Sequence, residues 1–297
     1  KKGFEIYVGG GLGAVPHQAK IMYDFLSEEE ILPLMQAVGR VFARLGEKKN
    51  RAKARVKFLV AKLGLEEFTR LVETERGKLP HDNNWTSYID ELPAWGEKPK
   101  KKVTALNNAN KSESYNLWES KNVQTQRQDG YRVVTIMLPL GDLSSHQMRK
   151  LADISEEYVG NTVRTTVEQN FVLRWVNEGD LPGLFSELNA IGLADPGAGS
   201  IVDITACPGT DTCKLGIASS RGLAEELRQM LSTKQMELDE EVQKLRIKIS
   251  GCFNSCGQHH IADMGFYGNS RTFKGYKVPH FQVVLGGKCK NNAGTFG

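Results

Sequence analysis

The chain has 297 residues, 40% of them hydrophobic and 25% charged, which is enough to bury one large core or two to three modest ones and excludes a disordered chain. Its net charge of +4, with Lys and Arg dispersed, argues against a nucleic-acid binder and suits an acidic partner protein or a small anion. No apolar run approaches the roughly 18 to 20 residues of a membrane span, and Lys1-Lys2-Gly3 opens no signal peptide, so the sequence reads as soluble and cytoplasmic.

The chain starts without Met on a strand-like run, Phe4-Glu5-Ile6-Tyr7-Val8, which predicts a fragment or a processed subunit. Gly9, Gly11 and Ala14 then fit the G-x-G-x-x-A spacing of a dinucleotide fold. However, no second strand with an acidic end follows within about 20 residues, and a nucleotide site is not the preferred reading. Ser27 with Glu30 predicts a capping box, and Ile31, Leu34, Met35, Val38, Val41, Phe42 and Leu45 recur at helical spacing after it. A basic stretch from Arg51 to Lys57 runs into Phe58, Leu59, Val60 and Leu63; Gly64 interrupts, and Leu65, Phe68, Leu71 and Val72 resume a helical pattern. One strand followed by a helical layer is the expectation for this part.

From Lys78 to about Arg127 the composition shifts to Pro, Asn, Lys, Ser and Gln, which predicts a linker crossing a surface. Trp85, Trp95 and Trp118 predict that it packs down, because a free linker rarely keeps large aromatics. Beyond it the pattern reads strand (131–138), helix (144–158), strand (162–167), strand (171–176), helix (181–191), strand (201–205), the ferredoxin-like β-α-β-β-α-β order. A helix is expected over Leu215–Leu231 and a strand over Leu245–Ser250. Gln169 and Asn170 fall between two strands, where a hairpin turn explains them. Phe4 to Gly10 and Phe281 to Gly287 share an aromatic residue, an alternating strand and paired glycines, so the chain reads as running from the end of one large unit to the same point of a second.

Four of the five cysteines form two tight pairs, Cys207 with Cys213 and Cys252 with Cys256. Without a secretion signal such pairs favour metal ligation over disulfides. The spacings are C-x5-C and C-x3-C. The second is compatible with a zinc knuckle, but the first lies outside that range, and two loops each delivering two thiolates suit a cubane iron–sulfur cluster. Pro208-Gly209, Gly251 and Gly257 permit tight turns whose N–H groups point at sulfur, and the helix expected after Cys213 aims its positive end at an anionic cluster. Cys289 reads as a buried or indifferent thiol, and His259-His260 as structural or exposed more than proton-delivering.

Ala206-Cys207-Pro208-Gly209-Thr210-Asp211-Thr212-Cys213-Lys214-Leu215-Gly216-Ile217 and Ser250-Gly251-Cys252-Phe253-Asn254-Ser255-Cys256-Gly257-Gln258 resemble the paired signatures of the siroheme-dependent nitrite and sulfite reductases. That family usually has proline where Phe253 stands. The resemblance implies an α+β fold with a pseudo-twofold plan, in which a ferredoxin-like unit is joined to an α/β unit binding siroheme and a [4Fe-4S] cluster. It divides this chain into the C-terminal part of a first half (1–77), a linker (78–126), a ferredoxin-like domain (127–196) and a truncated cofactor-binding domain (197–297).

By the same resemblance, Cys207, Cys213, Cys252 and Cys256 hold the cluster and Cys256 is also the axial ligand of the siroheme iron. Arg55 and Lys57 are the candidates for binding substrate, and Asn254 and Gln258 for binding the macrocycle. Residues two apart lie on different faces of a helix, so Arg55 and Lys57 share one anion only if the segment is extended there. The implied activity is six-electron reduction of sulfite to sulfide or nitrite to ammonia, with electrons from ferredoxin or a flavoprotein. The loop 254–258 looks more like nitrite-reducing members, whereas two basic residues suit sulfite, and the substrate stays open between them. The alternatives are a non-catalytic [4Fe-4S] electron-transfer protein and a zinc-stabilised binding domain.

Overall fold

The computed structural model describes residues 2–105, 111–160, 162–234, 237–290 and 293–297; residues 106–110 of the expected linker lie outside the described residues. The chain divides into two units, one of Lys1–Gly96 with Lys290–Gly294 and one of Glu97–Cys289 with Thr295–Gly297. No described helix is long and apolar enough to cross a membrane.

In the first unit β1 (Gly3–Val8) pairs antiparallel with β2 (Lys20–Ser27), and α1 (Ile31–Leu45), α2 (Val56–Leu63), α3 (Leu65–Arg76) and α4 (Asn84–Glu91) follow. Leu34, Ala37 and Val41 of α1 meet Leu59, Val60, Phe68 and Val72 in one core, with Ile31, Val38 and Phe42 packed against it, whereas Met35 and Leu45, expected on the same face, are exposed. Gly64, at φ 81°, separates α2 from α3 with a conformation other residues rarely adopt. The expected capping box does not form: Ser27 ends β2 with no side-chain cap, and Glu30 pairs instead with Arg76. The antiparallel β1–β2 pairing also removes the strand–helix–strand context a dinucleotide loop needs.

The second unit begins with α5 (Glu113–Asn122) and β3 (Val123–Thr125), both inside the stretch expected as linker. Trp118 of α5 is fully buried against Tyr115 and Phe185, as the aromatic content predicts. β4 (Tyr131–Ile136), α6 (Ser145–Val159), β5 (Arg164–Thr165), β6 (Phe171–Asn177) and α7 (Leu181–Ala190) complete a ferredoxin-like layer. Its antiparallel sheet has the order β3-β4-β6-β5. The α+β class and its ferredoxin-like unit therefore hold, with one exchange of strands. The stretch expected as a closing strand at 201–205 supplies only β7 (Thr205–Ala206), which pairs in another sheet, and β3 takes the vacated edge.

That other sheet has the order β10-β9-β8-β7. It follows α8 (Ser220–Ser232) and α9 (Glu240–Gln243) with β8 (Ile247–Ser250), β9 (Met264–Phe273) and β10 (Tyr276–Leu285). β7, β8 and β9 run parallel and β10 returns antiparallel. Ile247 and Ile249 of β8 sit in a core with Ile201, Val202, Ile204 and Ala224. The repeated segments end alike: β1 stops at Gly9, φ 79°, and β10 at Gly286, φ 82°.

Candidate metal centre

Adjacent parallel strands expose their carboxyl ends on the same side, the usual place for a site in such a sheet. Cys207 follows β7 directly, and Cys252 lies two residues past the end of β8, so pairing of β7 with β8 brings the two cysteine loops together. The Cys207 N–H donates to the Ile249 carbonyl at 3.1 Å, and the Ile217 and Ala218 N–H groups both donate to the Gly251 carbonyl, at 2.8 and 3.1 Å. The first loop thus wraps the start of the second. Glycine is what lets the backbones close: a Cβ on Gly251 would stand 2.5 Å from Gly209 Cα, one on Gly216 2.7 Å from the Gly209 carbonyl carbon, and one on Gly257 2.1 Å from the Ile249 carbonyl oxygen.

One backbone donor addresses sulfur in this cradle, and a serine hydroxyl lies beside it. The Gly251 N–H donates to Cys207 Sγ at 3.1 Å, as the turn glycines predict. Ser220, fully buried as the first residue of α8, donates its hydroxyl to the Cys207 carbonyl at 2.6 Å and lies 3.5 Å from its sulfur. α8 starts five residues later than the apolar pattern suggests, because Ser219 caps it by accepting from the Gly222 N–H. The helix end nevertheless reaches the first cysteine. A serine pair before a helical run is a start signal, so Ser219 and Ser220 were legible as a helix terminus though not as partners of sulfur.

Cys252 is buried, Cys207 half-buried, and Cys213 and Cys256 exposed. Cys256 sits in a turn closed by the Gln258 N–H donating to the Ser255 carbonyl at 2.9 Å. The first and last residues of the turn, Ser255 at φ 61° and Gln258 at φ 63°, are left-handed, a strain that persists where the surroundings over-determine the backbone. Partial desolvation of its sulfur pushes the Cys256 thiol above its ordinary range, and the neighbouring Cys207, Cys252 and Cys213 push it further. The other three cysteines therefore all act on Cys256. Among the described residues, no three His, Cys, Asp or Glu side chains are gathered closely enough to hold a metal ion. Two cysteine loops in backbone contact, a backbone donor to sulfur and a cradle without Cβ atoms fit a multi-iron cluster.

The remaining candidates have other partners. Gln258 turns its side-chain oxygen inward to accept from Lys248 at 3.2 Å, and Asn254 is exposed on the loop. Arg55 and Lys57 belong to the first unit. Arg55, the extended N-cap of α2, donates to the Leu12 carbonyl at 2.6 Å. Lys57 is buried, and its ammonium meets the carbonyls of Gly11, Leu12 and Val15 at 3.4, 2.9 and 2.7 Å. An extended N-cap does let both cations reach one place, and that place is the backbone of the glycine-rich loop.

His259 is buried beneath the Cys256 turn, where its Nδ1 lies 2.9 Å from Ser250 Oγ and its ring stacks on Tyr267. Burial, reinforced by His260, lowers its pKa to about 4, so it is a neutral structural residue at ordinary pH.

The motif-bearing loops and the layered fold match known proteins. The model of the nitrite and sulfite reductase 4Fe-4S domain matches residues 1–79 and 197–295, and that of the nitrite/sulfite reductase ferredoxin-like half domain matches 124–191. The chain belongs to the nitrite and sulfite reductase family, whose cofactor pair is siroheme and a [4Fe-4S] cluster. It is 29% identical to the sulfite reductase (ferredoxin) 2 of Mycolicibacterium paratuberculosis over 98% of this chain and 48% of that protein. Against the ferredoxin–nitrite reductase of Synechococcus elongatus the values are 27%, 98% and 52%. The solved structure of the Mycobacterium tuberculosis NirA protein superposes with a TM-score of 0.75 at 28% identity, covering 99% of this chain and 50% of that one. The chain thus spans about half the length of the curated relatives it matches.

Proposed function

We propose that this chain supplies the cluster-bearing part of a reductase that takes sulfite to sulfide or nitrite to ammonia by six electrons, drawn from ferredoxin or a flavoprotein in a cytoplasmic setting. The observation that carries this reading is the meeting of two cysteine loops at the ends of neighbouring parallel strands, with Gly209 and Gly251 in backbone contact. Cys207, Cys213, Cys252 and Cys256 hold the cluster in this reading, and Cys256 also holds the siroheme iron. Bound there, the cofactors carry single electrons to the anion. The chain's own contribution is to fix the four sulfurs, to stabilise Cys207 through the Gly251 N–H and to hold the Cys256 turn by Gln258. Arg55 and Lys57 stay the candidates for binding the anion in this reading, and both also order the loop at 11–15 by donating to its carbonyls.

Sulfite and nitrite remain the two substrates of the proposal. The test is the spectrum and turnover of the anaerobically purified full-length protein with each anion and reduced methyl viologen. Siroheme bands with turnover support the reading, and siroheme without turnover of either anion overturns it. A cluster without siroheme would identify an electron-transfer protein, and a colourless protein with stoichiometric zinc a binding domain.

A further inference from the structure

β8 is buried along its whole length, yet its second residue is a lysine. Ile247 and Ile249 face the apolar core, so Lys248 and Ser250 share the opposite face. That face supports the cysteine turn. Ser250 Oγ accepts from the Gly257 N–H at 3.0 Å, and Lys248 Nζ donates to Gln258 Oε1 at 3.2 Å and to Thr205 Oγ1 at 3.4 Å. Gly257 and Gln258 are the residues directly after Cys256.

Lys248 is 3% exposed, and among the described residues no carboxylate lies within ion-pair distance of it. A buried ammonium held only by neutral oxygens is costly, and such a group sheds its proton readily. Burial accordingly holds Lys248 below the ordinary lysine range. Its head lines a cavity of about 240 Å3 with Glu168, Asn170, Asp203, Thr205 and Arg246, room for several waters at about 30 Å3 each. A proton therefore has both a destination and a way in. Lys248 precedes Cys252 by four residues of extended chain, at most about 13 Å, a distance over which charge is felt in a low-dielectric interior.

We infer that Lys248 is a redox-linked proton acceptor, which binds one proton from solvent through this cavity each time one electron from the reduced donor arrives at the cysteine-held cluster. Lys248 returns the proton when the electron leaves. The added negative charge on the cluster side favours the ammonium over the amine, so electron and proton balance one for one. The inference rests on the cluster assignment proposed above and deepens it. The other charged or titratable groups that reach Lys248 are Glu168, Asp203, Arg246 and the Cys289 thiol, and the neighbouring His259 on Ser250 is neutral.

The test is potentiometric titration of the full-length holoprotein from mildly acidic to strongly alkaline pH, following the reduced cluster by electron paramagnetic resonance. The wild-type midpoint potential is expected to fall with rising pH, approaching one proton per electron. Lys248→Met, which never carries the charge, is expected to lose that slope and to lie below the wild type at low pH. Lys248→Arg, which never loses the charge, is expected to lose the slope and to stay near the low-pH wild-type potential. A merely structural lysine would not give these opposite displacements, and if the Met variant fails to load, the Arg variant decides. A loaded wild type without slope, or a slope kept in Lys248→Arg or lost only in Asp203→Asn, overturns the inference alone. A wild type with no cluster signal overturns the proposed function and this inference with it.

Discussion

Gly251 lies against Gly209 with no space for a side chain: a Cβ on Gly251 would fall 2.5 Å from the Gly209 Cα and 2.9 Å from the Ala218 carbonyl oxygen. These atoms are backbone and cannot rotate away. The contact joins two loops more than 40 residues apart in sequence, and the four sulfurs hang on it. Gly251→Ala is expected to cost about 1–3 kcal/mol, as overpacking does, and to lower iron content together with the thermal midpoint. A variant that kept both would show that the loops close for another reason.

The thiols differ in what surrounds them, and removal should separate them. Alanine at Cys207, Cys213, Cys252 or Cys256 is expected to bring iron and acid-labile sulfide to background, because a cubane needs all four corners. Cys289→Ala is expected to leave both unchanged, since Cys289 is exposed on a strand outside these loops. Metal analysis of the five purified variants checks this.

Lys57 places three N–H donors against three carbonyls in a buried position. Lys57→Met would strand those carbonyls and is expected to cost about 1–3 kcal/mol, read as a lower denaturant midpoint. Arg55 is exposed with a single carbonyl partner, so Arg55→Met is expected to cost under about 1 kcal/mol. Equal losses would contradict the loop-holding role assigned to Lys57.

His259 gives the fold a pH dependence with a definite sign. Its pKa is about 4 folded against 6.5 in the unfolded chain, so the unfolded state takes the proton first as pH falls. Stability from this residue is complete above about pH 6.5, declines as pH drops toward 4 and is lost below it, roughly 3 kcal/mol in all. Unfolding midpoints measured across that window should fall in the wild type and fall less in His259→Gln. A parallel decline in both would place the effect elsewhere.

How far the residues announced this arrangement can be traced site by site. The helices of the first unit were legible because apolar residues at 3.6 spacing have one way to be buried, and Gly64 marks their break. The two cysteine pairs were legible because their spacing is chemical information in itself. Gln169 and Asn170 looked like hairpin residues, and Gln169 is in a left-handed turn conformation. Their side chains nevertheless bind across the unit, Gln169 pairing with both backbone groups of Ala206 beside Cys207, and Asn170 joining Leu138 to Asp203. No local pattern encodes such partners, which stand more than 30 residues away.

Composition and spacing by themselves determined an α+β chain with four ligand-type thiols in two loops, since periodicity and spacing are properties of neighbours along the chain. Only tertiary structure decided which strand completes which sheet, that Lys57 serves a loop, and that a buried Lys248 lies beneath the Cys256 turn. Those outcomes depend on which distant backbones can touch, and that is set by packing: two-residue β7 joined the cluster sheet because β8 offered it a parallel partner, and the cysteines met because glycine left no Cβ between them.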